Sequence, residues 1–300
     1  MTFRLIFRNH LALEHTRILY TDRAFVVVNK PPNFVTQYPR DGSTEAVAEL
    51  KGQIPSAPNF TELFPVHRLD KGTTGCLVFA RSPRYAQAFS RQLKQHTVFK
   101  TYHALINTVD SPVLATKSAS GSIRIGMSTK DGRPHISHCG TARETWTDWQ
   151  VLGSSSQTDL ALVKLVLHTG MKHQLRVHMA DVLQAPILGD LQHTGMPFSS
   201  ASTIPPVPND RLFLHASELS FHFESLTFVK RFRRNGKPKR LNLAITAPLP
   251  PDFQELCRRV GIQVPSHLKE GGLFVDGQPV NDVPDLDGVW IGNREDSHLP

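Results

Sequence analysis

The sequence contains 300 residues, of which 34 are Lys or Arg and 26 are Asp or Glu, so its net charge at pH 7 is +8. Its three cysteines lie far apart without a Cys-x-x-Cys pair, which argues against a disulfide framework and a structural zinc site. No stretch approaches the roughly 20 apolar residues of a membrane helix. The basic balance favours a polyanionic partner, meaning nucleic acid or an anionic membrane.

The N-terminal segment is basic and amphipathic in composition. Residues 1–13 contain two arginines and no acidic residue, and apolar residues are mixed with the basic ones. This composition is compatible with a short mitochondrial presequence, and also with an ordinary first strand or helix. We therefore separate residues 1–16 as an N-terminal extension and expect a mitochondrial protein, with a cytoplasmic or nuclear location as the alternative.

Short apolar runs bounded by turn residues predict the first strands. Residues 17–30 should form two strands joined by Thr21-Asp22-Arg23, with two prolines after the second strand because proline cannot donate to a ladder. We expect residues 41–58 to form a loop that contains a short helix. Residues 76–80 are uniformly apolar and predict a buried strand.

A helix should follow that strand. Ser82-Pro83 predicts its start, because serine caps a helix and proline fits its first position. Apolar residues then recur at helical spacing until near His96. Residues 100–106 predict a strand, and residues 110–140, which are rich in turn formers and basic groups, predict an irregular segment or a hairpin. The later predicted elements are strands over 141–152 and 160–168, a helix over 171–183, renewed apolar structure over 211–223, and a hairpin with an Asp-Gly turn over 273–280.

Charge is distributed unevenly along the chain. Residues 230–240 place seven basic residues around one turn and contain no acid, which predicts an exposed basic hairpin suited to phosphate contact. Its candidate phosphate-binding side chains are Lys230, Arg231, Arg233, Arg234 and Lys237. Residues 251–300 instead carry nine acidic against four basic residues, so we expect an acidic C-terminal appendage, or a partly disordered tail, that lies outside any RNA groove.

A polar loop precedes the predicted strand over 76–80. It contains Arg68, Asp70 and Lys71, and two glycines nearby allow tight turns and close approach of another chain segment. A carboxylate on a loop held by a buried strand is a common placement for a catalytic group. The plain alternative is an exposed loop in which Asp70 pairs with its basic neighbours.

Several other functional patterns are absent from the sequence. There is no Gly-x-Ser-x-Gly elbow and no dinucleotide-binding Gly-x-Gly-x-x-Gly. His173 and His178 are five residues apart, a spacing that places them on different faces of a helix or strand and so disfavours a metal pair. Aromatic residues do not alternate with basic ones along the sequence as they would in an RNA-stacking sheet, which disfavours a pure RRM-type binder.

Residues 67–75, which read HRLDKGTTG, resemble the H-R-L-D-x-x-T-S-G signature of RluA-type pseudouridine synthases. Other blocks are similar to further family motifs and occur in family order across residues 17–247. They are Val27–Pro32 (VVNKPP), Lys100–Ala104 (KTYHA), His173–His178 (HQLRVH), Leu188–Asp190 (LGD) and Leu214–Ala216 (LHA). This order favours a catalytic role for Asp70 over a surface ion pair.

The resemblance implies an α+β chain whose catalytic domain, residues 17–250, is built on a mixed, mostly antiparallel sheet flanked by helices and loops. It also implies that a uridine in RNA is isomerised to pseudouridine without a cofactor or metal. We expect RNA as the partner, no membrane association and a monomer. The expected substrate is structured rRNA, with organellar large-subunit rRNA first, and tRNA as an alternative. A non-catalytic RNA-binding or ribosome-assembly factor that keeps the fold is the other alternative.

The resemblance also implies roles for individual residues. Asp70 would be the nucleophile, attacking C1′ of the ribose or C6 of the uracil, and Arg176 would hold its carboxylate ionised in a closed pocket. Tyr102 would stack on the flipped uracil and assist proton removal from C5, and Arg68 would hold the extruded conformation. We further expect His67 and Lys100 to contact RNA.

The sequence also departs from the family pattern. Met171 stands where the family has arginine in T-G-R-x-H-Q, so one basic contact is missing. Gln192 and His193 occupy the region where a tyrosine often follows Gly-Asp. Because no S4 RNA-binding domain precedes the core, we expect substrate selection to depend on the core, its insertions and the basic turn.

Overall fold

The computed structural model describes residues 17–36, 62–111, 113, 119–194, 207–224, 233–234, 237–238 and 240–292. The strands within these ranges are β1 (Arg17–Thr21), β2 (Phe25–Lys30), β3 (Phe64–Pro65), β4 (Thr74–Ala80), β5 (Phe99–Asn107), β6 (Ser120–Lys130), β7 (Arg133–Ile136), β8 (Arg143–Ser154), β9 (Leu160–Leu167), β10 (Leu214–Glu224), β11 (Arg233–Arg234), β12 (Lys237–Pro238), β13 (Arg240–Thr246), β14 (Gly272–Val275), β15 (Gln278–Val280), β16 (Asp282–Val283) and β17 (Gly288–Trp290). The helices are α1 (Pro83–Lys94), α2 (Gln174–Val177), α3 (Pro251–Arg259) and α4 (Ser266–Glu270), with a π-helical turn over His178–Val182 and a 3₁₀ turn over Pro284–Leu286.

The chain divides into two compact units. The described part of unit 1 falls within residues 100–215 and 250–265, and that of unit 2 falls within residues 17–99, 216–249 and 266–292. Each unit combines several strands with few helices, which is the predicted α+β composition. The limits proposed from sequence, 17–250 for a catalytic domain and 251–300 for an appendage, stay a prediction.

Unit 2 is a sheet with the strand order β16-β17-β1-β2-β4-β10, extended by β13, β14 and β15, while β3 pairs with β4. β2 and β4 are almost entirely buried, as expected for apolar strands that lie inside a sheet. The core beside them is aromatic: the Phe25 ring makes edge contacts with Phe89, Phe221 and Phe223 at centroid distances of 5.2–5.6 Å. This packing fixes β4 and therefore the loop before it.

Helix α1 confirms the predicted start. The Ser82 hydroxyl accepts a hydrogen bond from the Tyr85 N–H, and Pro83 occupies the first helical position. The helix ends at Lys94, two residues before the predicted limit, and His96 takes a left-handed conformation with a φ of 54°. Helix and cap together hold the chain against the aromatic core.

Unit 1 is an antiparallel sheet with the order β5-β9-β8-β6-β7. Residues 102–107 of β5 and most of β9 are buried, and Tyr102 pairs with Leu165 across the two strands. The segment over 110–140, predicted as irregular or as a hairpin, contains a hairpin. Its turn consists of Asp131 and Gly132, both with positive φ.

The predicted helix over 171–183 is present in two parts. Helix α2 forms one turn, and the π-helical turn continues it. Leu175 and Met179 are both buried, and Val182 is partly buried. π-helical turns are rare and occur mostly as single turns within α-helices, so residues 171–183 predict an ordinary helix.

Two further hairpins confirm predictions. β14 and β15 pair around Asp276 and Gly277, which both have positive φ, as the Asp-Gly turn requires. In the basic segment, β11 pairs with β12, with Arg233 opposite Pro238 and Arg234 opposite Lys237.

The predicted extension over 1–16, the loop over 41–58, Lys230 and Arg231 lie outside the described residues. No helix in the described ranges has both the length and the apolar character to cross a membrane. Within the same ranges, no cluster of three or more His, Cys, Asp or Glu side chains is arranged to hold a metal ion.

Candidate active site

The Asp70 loop of unit 2 is held at several points. Asp70 is partly buried, and its carbonyl accepts a hydrogen bond from the Thr73 N–H at 3.0 Å, which closes a tight turn just before β4. The residue before it, Leu69, is buried, and its carbonyl accepts from the Thr36 hydroxyl at 3.0 Å. The aspartate therefore lies on a loop whose backbone is fixed on both sides.

Lys30, at the end of β2, contacts the same loop through its side chain. Its side chain is completely buried, and its ammonium donates to the carbonyl oxygens of Pro31 and Phe34 at 2.9 and 3.0 Å. A third hydrogen bond goes to the carbonyl of Lys71, one residue after Asp70, at 2.9 Å. A buried cation is stable only with such partners, so Lys30 couples β2 to the position of the Asp70 loop.

Gly75 allows β4 to pack tightly within unit 2. Its φ is +109°, and a Cβ placed there would come 2.2 Å from the carbonyl oxygen of Ala216. Only glycine combines this backbone conformation with so close an approach. The Gly75 position of the signature is thus explained by packing.

The neighbours of Asp70 differ in exposure. Arg68 is exposed, as a contact to RNA requires. His67 is partly buried, its ring is stacked on Phe89 at a centroid distance of 6.1 Å, and its Nε2 accepts a hydrogen bond from the Val78 N–H at 3.0 Å. His67 therefore braces β4, and an RNA contact through it stays a prediction.

Tyr102 and Lys100 lie on β5 of unit 1. Tyr102 is buried, with 8% of its surface exposed. Lys100 is partly buried, its Nζ lies close to Gly170, and burial lowers the pKa of its ammonium below the ordinary value. The alternation of the strand places both side chains on one face.

Arg176, on α2 of unit 1, makes a bidentate ion pair that the sequence did not predict. Its Nε and Nη2 donate to the two carboxylate oxygens of Asp190 at 2.8 and 2.6 Å, and Nη2 also donates to Gln192 at 3.0 Å. Burial alone would raise the pKa of Asp190, but the hydrogen bonds and charge of Arg176 lower it below its ordinary value. The Asp190 carboxyl is therefore ionised, and the guanidinium of Arg176 has one fixed orientation.

Gln174 organises the segment that leads into α2. Its side-chain amide is buried and donates to the Trp146 carbonyl and the Thr147 hydroxyl, while its carbonyl accepts from the Met171 N–H at 3.1 Å. Met171 thus keeps the loop geometry through its backbone, although it brings no charge.

Two histidine contacts surround this segment. His173, with a φ of 53°, places Nδ1 3.2 Å from Nε2 of His193. His178 is fully buried, and its Nε2 lies 2.9 Å from the Thr145 hydroxyl. Since that hydroxyl donates to the carbonyl of Ile125 at 2.6 Å, it accepts from His178, which therefore carries its proton on Nε2.

The structure distributes the predicted catalytic residues over both units. Asp70 belongs to unit 2, whereas Tyr102 and Arg176 belong to unit 1. For Arg233, Arg234 and Lys237 the structure describes the backbone of the β11–β12 ladder.

The model of the RNA pseudouridylate synthase family matches residues 24–181, more than half of the chain. The chain belongs to this family. Its members are isomerases, and the predicted enzyme class is confirmed.

Individual relatives agree with that assignment. tRNA pseudouridine synthase C of Haemophilus influenzae is 31% identical over 81% of this chain and 97% of its own length. The protein of the same name from Yersinia pestis is 31% identical over 72% of this chain and 86% of its own. The mitochondrial pseudouridylate synthase RPUSD4 of Xenopus tropicalis is 26% identical over 83% of this chain and 82% of its own.

Solved structures show the same fold. The human RNA pseudouridylate synthase domain containing 4 protein matches 83% of this chain and 95% of its own, with a TM-score of 0.59 and 26% identity. The human domain containing 1 protein matches 81% of this chain and 88% of its own with a TM-score of 0.57. The predicted pseudouridine synthase fold is confirmed.

Two residues of this pseudouridine synthase were missed as site components. Asp190 lies in the Leu-Gly-Asp block, and that block was a usable signal because an acidic residue in a motif invites a search for its cation. Lys30 lies in the Val-Asn-Lys-Pro block, where a lysine that ends an apolar strand could have suggested a buried ammonium.

Proposed function

We propose that this protein converts a uridine of structured RNA to pseudouridine, with Asp70 as the nucleophile. The observation that carries the proposal is the Asp70 loop: a partly buried carboxylate whose flanking backbone is held by Thr73, Thr36 and Lys30. A loop fixed in this way positions a reacting oxygen without a further ordering cost.

The proposed reaction uses this chain's own groups. The Asp70 carboxylate adds to C1′ or to C6, the bond between C1′ and N1 of the uracil breaks, and the ring turns within the site. C5 then bonds to C1′, the proton on C5 passes to solvent, N1 takes up a proton and the carboxylate is released, so the product is an isomer of the uridine. A cation near the carboxylate keeps it ionised, which is the role proposed for Arg176, and Asp190 fixes the orientation of that guanidinium.

The target uridine must leave its stack before it can react. We propose that the uracil stacks on Tyr102. This side chain is buried on strand β5, so its ring is held rigidly. Arg68 is exposed and suits a contact to the RNA that surrounds the extruded base. The same reasoning assigns phosphate contacts to the basic segment 230–240.

The names of the relatives favour tRNA as the first substrate class to test. Several of them are tRNA pseudouridine synthases, with up to 97% of their length covered. Organellar large-subunit rRNA, the first expectation from sequence, is the second class. The mitochondrial relative supports a mitochondrial location, and the bacterial relatives support a location in the cytoplasm.

The experiment incubates purified protein with tRNA and rRNA transcripts that carry tritium at C5 of uridine, since formation of pseudouridine releases the C5 hydrogen. Asp70→Asn should abolish release while RNA affinity stays within about twofold. The control Asp131→Asn changes an exposed aspartate of the β6–β7 turn and should release tritium like the wild type. Equal release by wild type and Asp70→Asn on every RNA would overturn the proposal and favour a non-catalytic assembly factor.

A further inference from the structure

Three side chains form a stack on the sheet of unit 1. The guanidinium carbon of Arg124, on β6, lies 3.9 Å from the ring centroid of Trp146, on β8. The ring of His168, directly after β9, lies 3.8 Å from the same indole at an interplanar angle of 16°. Because β6 and β9 flank β8 on opposite sides, Arg124 and His168 cover opposite faces of Trp146.

A carboxylate fixes the middle of this stack. Asp148 accepts a hydrogen bond from the indole Nε1–H of Trp146 at 2.9 Å, and its other oxygen lies 2.6 Å from Nε2 of His168. The indole N–H also reaches the Ser122 hydroxyl at 2.9 Å. These hydrogen bonds fix the orientation of the Trp146 ring, and the Asp148 carboxylate contacts both Trp146 and His168.

Arg124 is ordered by stacking alone. It is exposed, and no ion pair or hydrogen bond from its guanidinium to another residue is seen in the described part of the chain. A guanidinium placed over an aromatic ring is attracted by the face of the ring, and its N–H donors remain available to an oxyanion. The stack thus supplies an exposed cation that lies over the Trp146 ring.

We infer that Arg124, held on Trp146, binds a backbone phosphate of the substrate RNA at a contact distinct from the Asp70 loop and the basic turn. The inference rests on the proposed function for its ligand. Charge complementarity selects the occupant, since a planar arginine with in-plane donors matches a phosphate. Cross-strand stacking that served only the sheet would not require a cation at the outer position.

The test measures the affinity of the tRNA transcript by fluorescence anisotropy between 50 and about 300 mM KCl, in the full chain. Arg124→Gln should weaken binding roughly tenfold and lower the slope of log affinity against log salt by about one. Trp146→Leu keeps every charge but removes the ring that orders Arg124, so it should also weaken binding, about three- to fivefold.

The matched control is Arg143→Gln, which removes an exposed arginine from β8, the strand beside β6, at a position opposite Met127. It should weaken binding less than about twofold. The double variant Arg124→Gln/Trp146→Leu should bind no more weakly than Arg124→Gln, because the ring acts through the arginine.

Two results would overturn the inference. One is Arg124→Gln binding with the affinity and salt slope of the wild type. The other is Arg143→Gln weakening binding as much as Arg124→Gln, which would indicate a general charge effect. Thermal unfolding of Trp146→Leu shows whether that variant is folded, and Arg124→Gln tests the inference independently of it. Failure of the proposed function is separate: wild-type protein would then release no tritium, whatever Arg124 does.

Discussion

Nε and Nη2 of Arg176 donate to the two carboxylate oxygens of Asp190 at 2.8 and 2.6 Å, and both side chains are buried. A paired geometry of this kind fixes the plane of the guanidinium as well as its charge. Asp190 is therefore the group that determines where Arg176 can place its positive charge.

Asp190→Asn tests this relationship. The substitution leaves a buried guanidinium without its charged partner, so the free energy of unfolding should fall by about 2–4 kcal/mol. The rate of pseudouridine formation should fall roughly tenfold to a hundredfold through misplacement of the cation, and RNA affinity should change little. Single-turnover rates and urea unfolding measure these quantities.

Asp159→Asn, at an exposed aspartate of the same unit, is the control and should match the wild type. A wild-type rate in Asp190→Asn would refute the positioning role.

Lys30→Met tests the support of the Asp70 loop. The variant keeps the length of the side chain but removes the ammonium, so three carbonyl oxygens lose their donor. We expect a loss of about 2–4 kcal/mol in the free energy of unfolding and loss of activity in the fraction that remains folded. Lys71→Met removes an exposed ammonium and leaves the Lys71 carbonyl in place, so its stability should stay within about 0.5 kcal/mol. Equal stabilities of the two variants in urea would contradict the role of Lys30.

Gly75→Ala tests the close packing of β4. The new Cβ would meet the Ala216 carbonyl at 2.2 Å in a backbone conformation with φ of +109°. Strain and overpacking together should cost about 3 kcal/mol or more. Gly277→Ala is the matched control, because Gly277 has a φ of +81° but nothing within 4 Å of a Cβ, and it should cost only about 1 kcal/mol. Thermal unfolding compares them, and a Gly75→Ala variant no less stable than Gly277→Ala would count against the contact.

The local elements of this chain were predictable because their signals are local. Apolar runs predicted β2 and β4, the Ser82-Pro83 pair predicted the start of α1, and the Asp-Gly turn predicted the β14–β15 hairpin. The motif blocks also predicted the family. What the sequence could not show was the partner of each charge. Arg176 was expected to serve the nucleophile, and its pair with Asp190 depends on a loop 14 residues away.

Cross-strand contacts could not be predicted either, because their partners lie far apart in the sequence. Aromatic and basic residues do not alternate along the chain, and from that pattern an RNA-stacking sheet was disfavoured. The stack of Arg124, Trp146 and His168 assembles from three neighbouring strands, so it is visible only in the register of β6, β8 and β9. The π-helical turn over His178–Val182 likewise left no pattern in the sequence.

The basic segment 230–240 should contribute to RNA affinity and little to catalysis. Substituting Lys230, Arg231, Arg233, Arg234 and Lys237 by glutamine removes five positive charges from this segment. We expect weaker binding and a shallower dependence of log affinity on log salt, with the single-turnover rate at saturating RNA nearly unchanged. Replacing Arg258, Arg259 and Lys269 of the acidic C-terminal region by glutamine is the control. An unchanged salt slope in the five-residue variant would remove the segment from the RNA-binding surface.

His178 should make the stability of the protein depend on pH. Burial lowers the pKa of its imidazole from 6.5 to about 4, and among the described residues its Nδ1 has no hydrogen-bond partner. Between these two values the unfolded chain binds a proton that the folded chain does not, so stability is present above pH 6.5 and is lost as the pH falls toward 4. The loss should approach about 3 kcal/mol.

His178→Gln can still donate to Thr145 but cannot titrate, so its free energy of unfolding should vary less over this range. His138→Gln, at an exposed histidine, should keep the wild-type dependence. Urea unfolding from pH 7.5 to 4 measures all three proteins, and the same pH dependence in His178→Gln as in the wild type would show that another group is responsible.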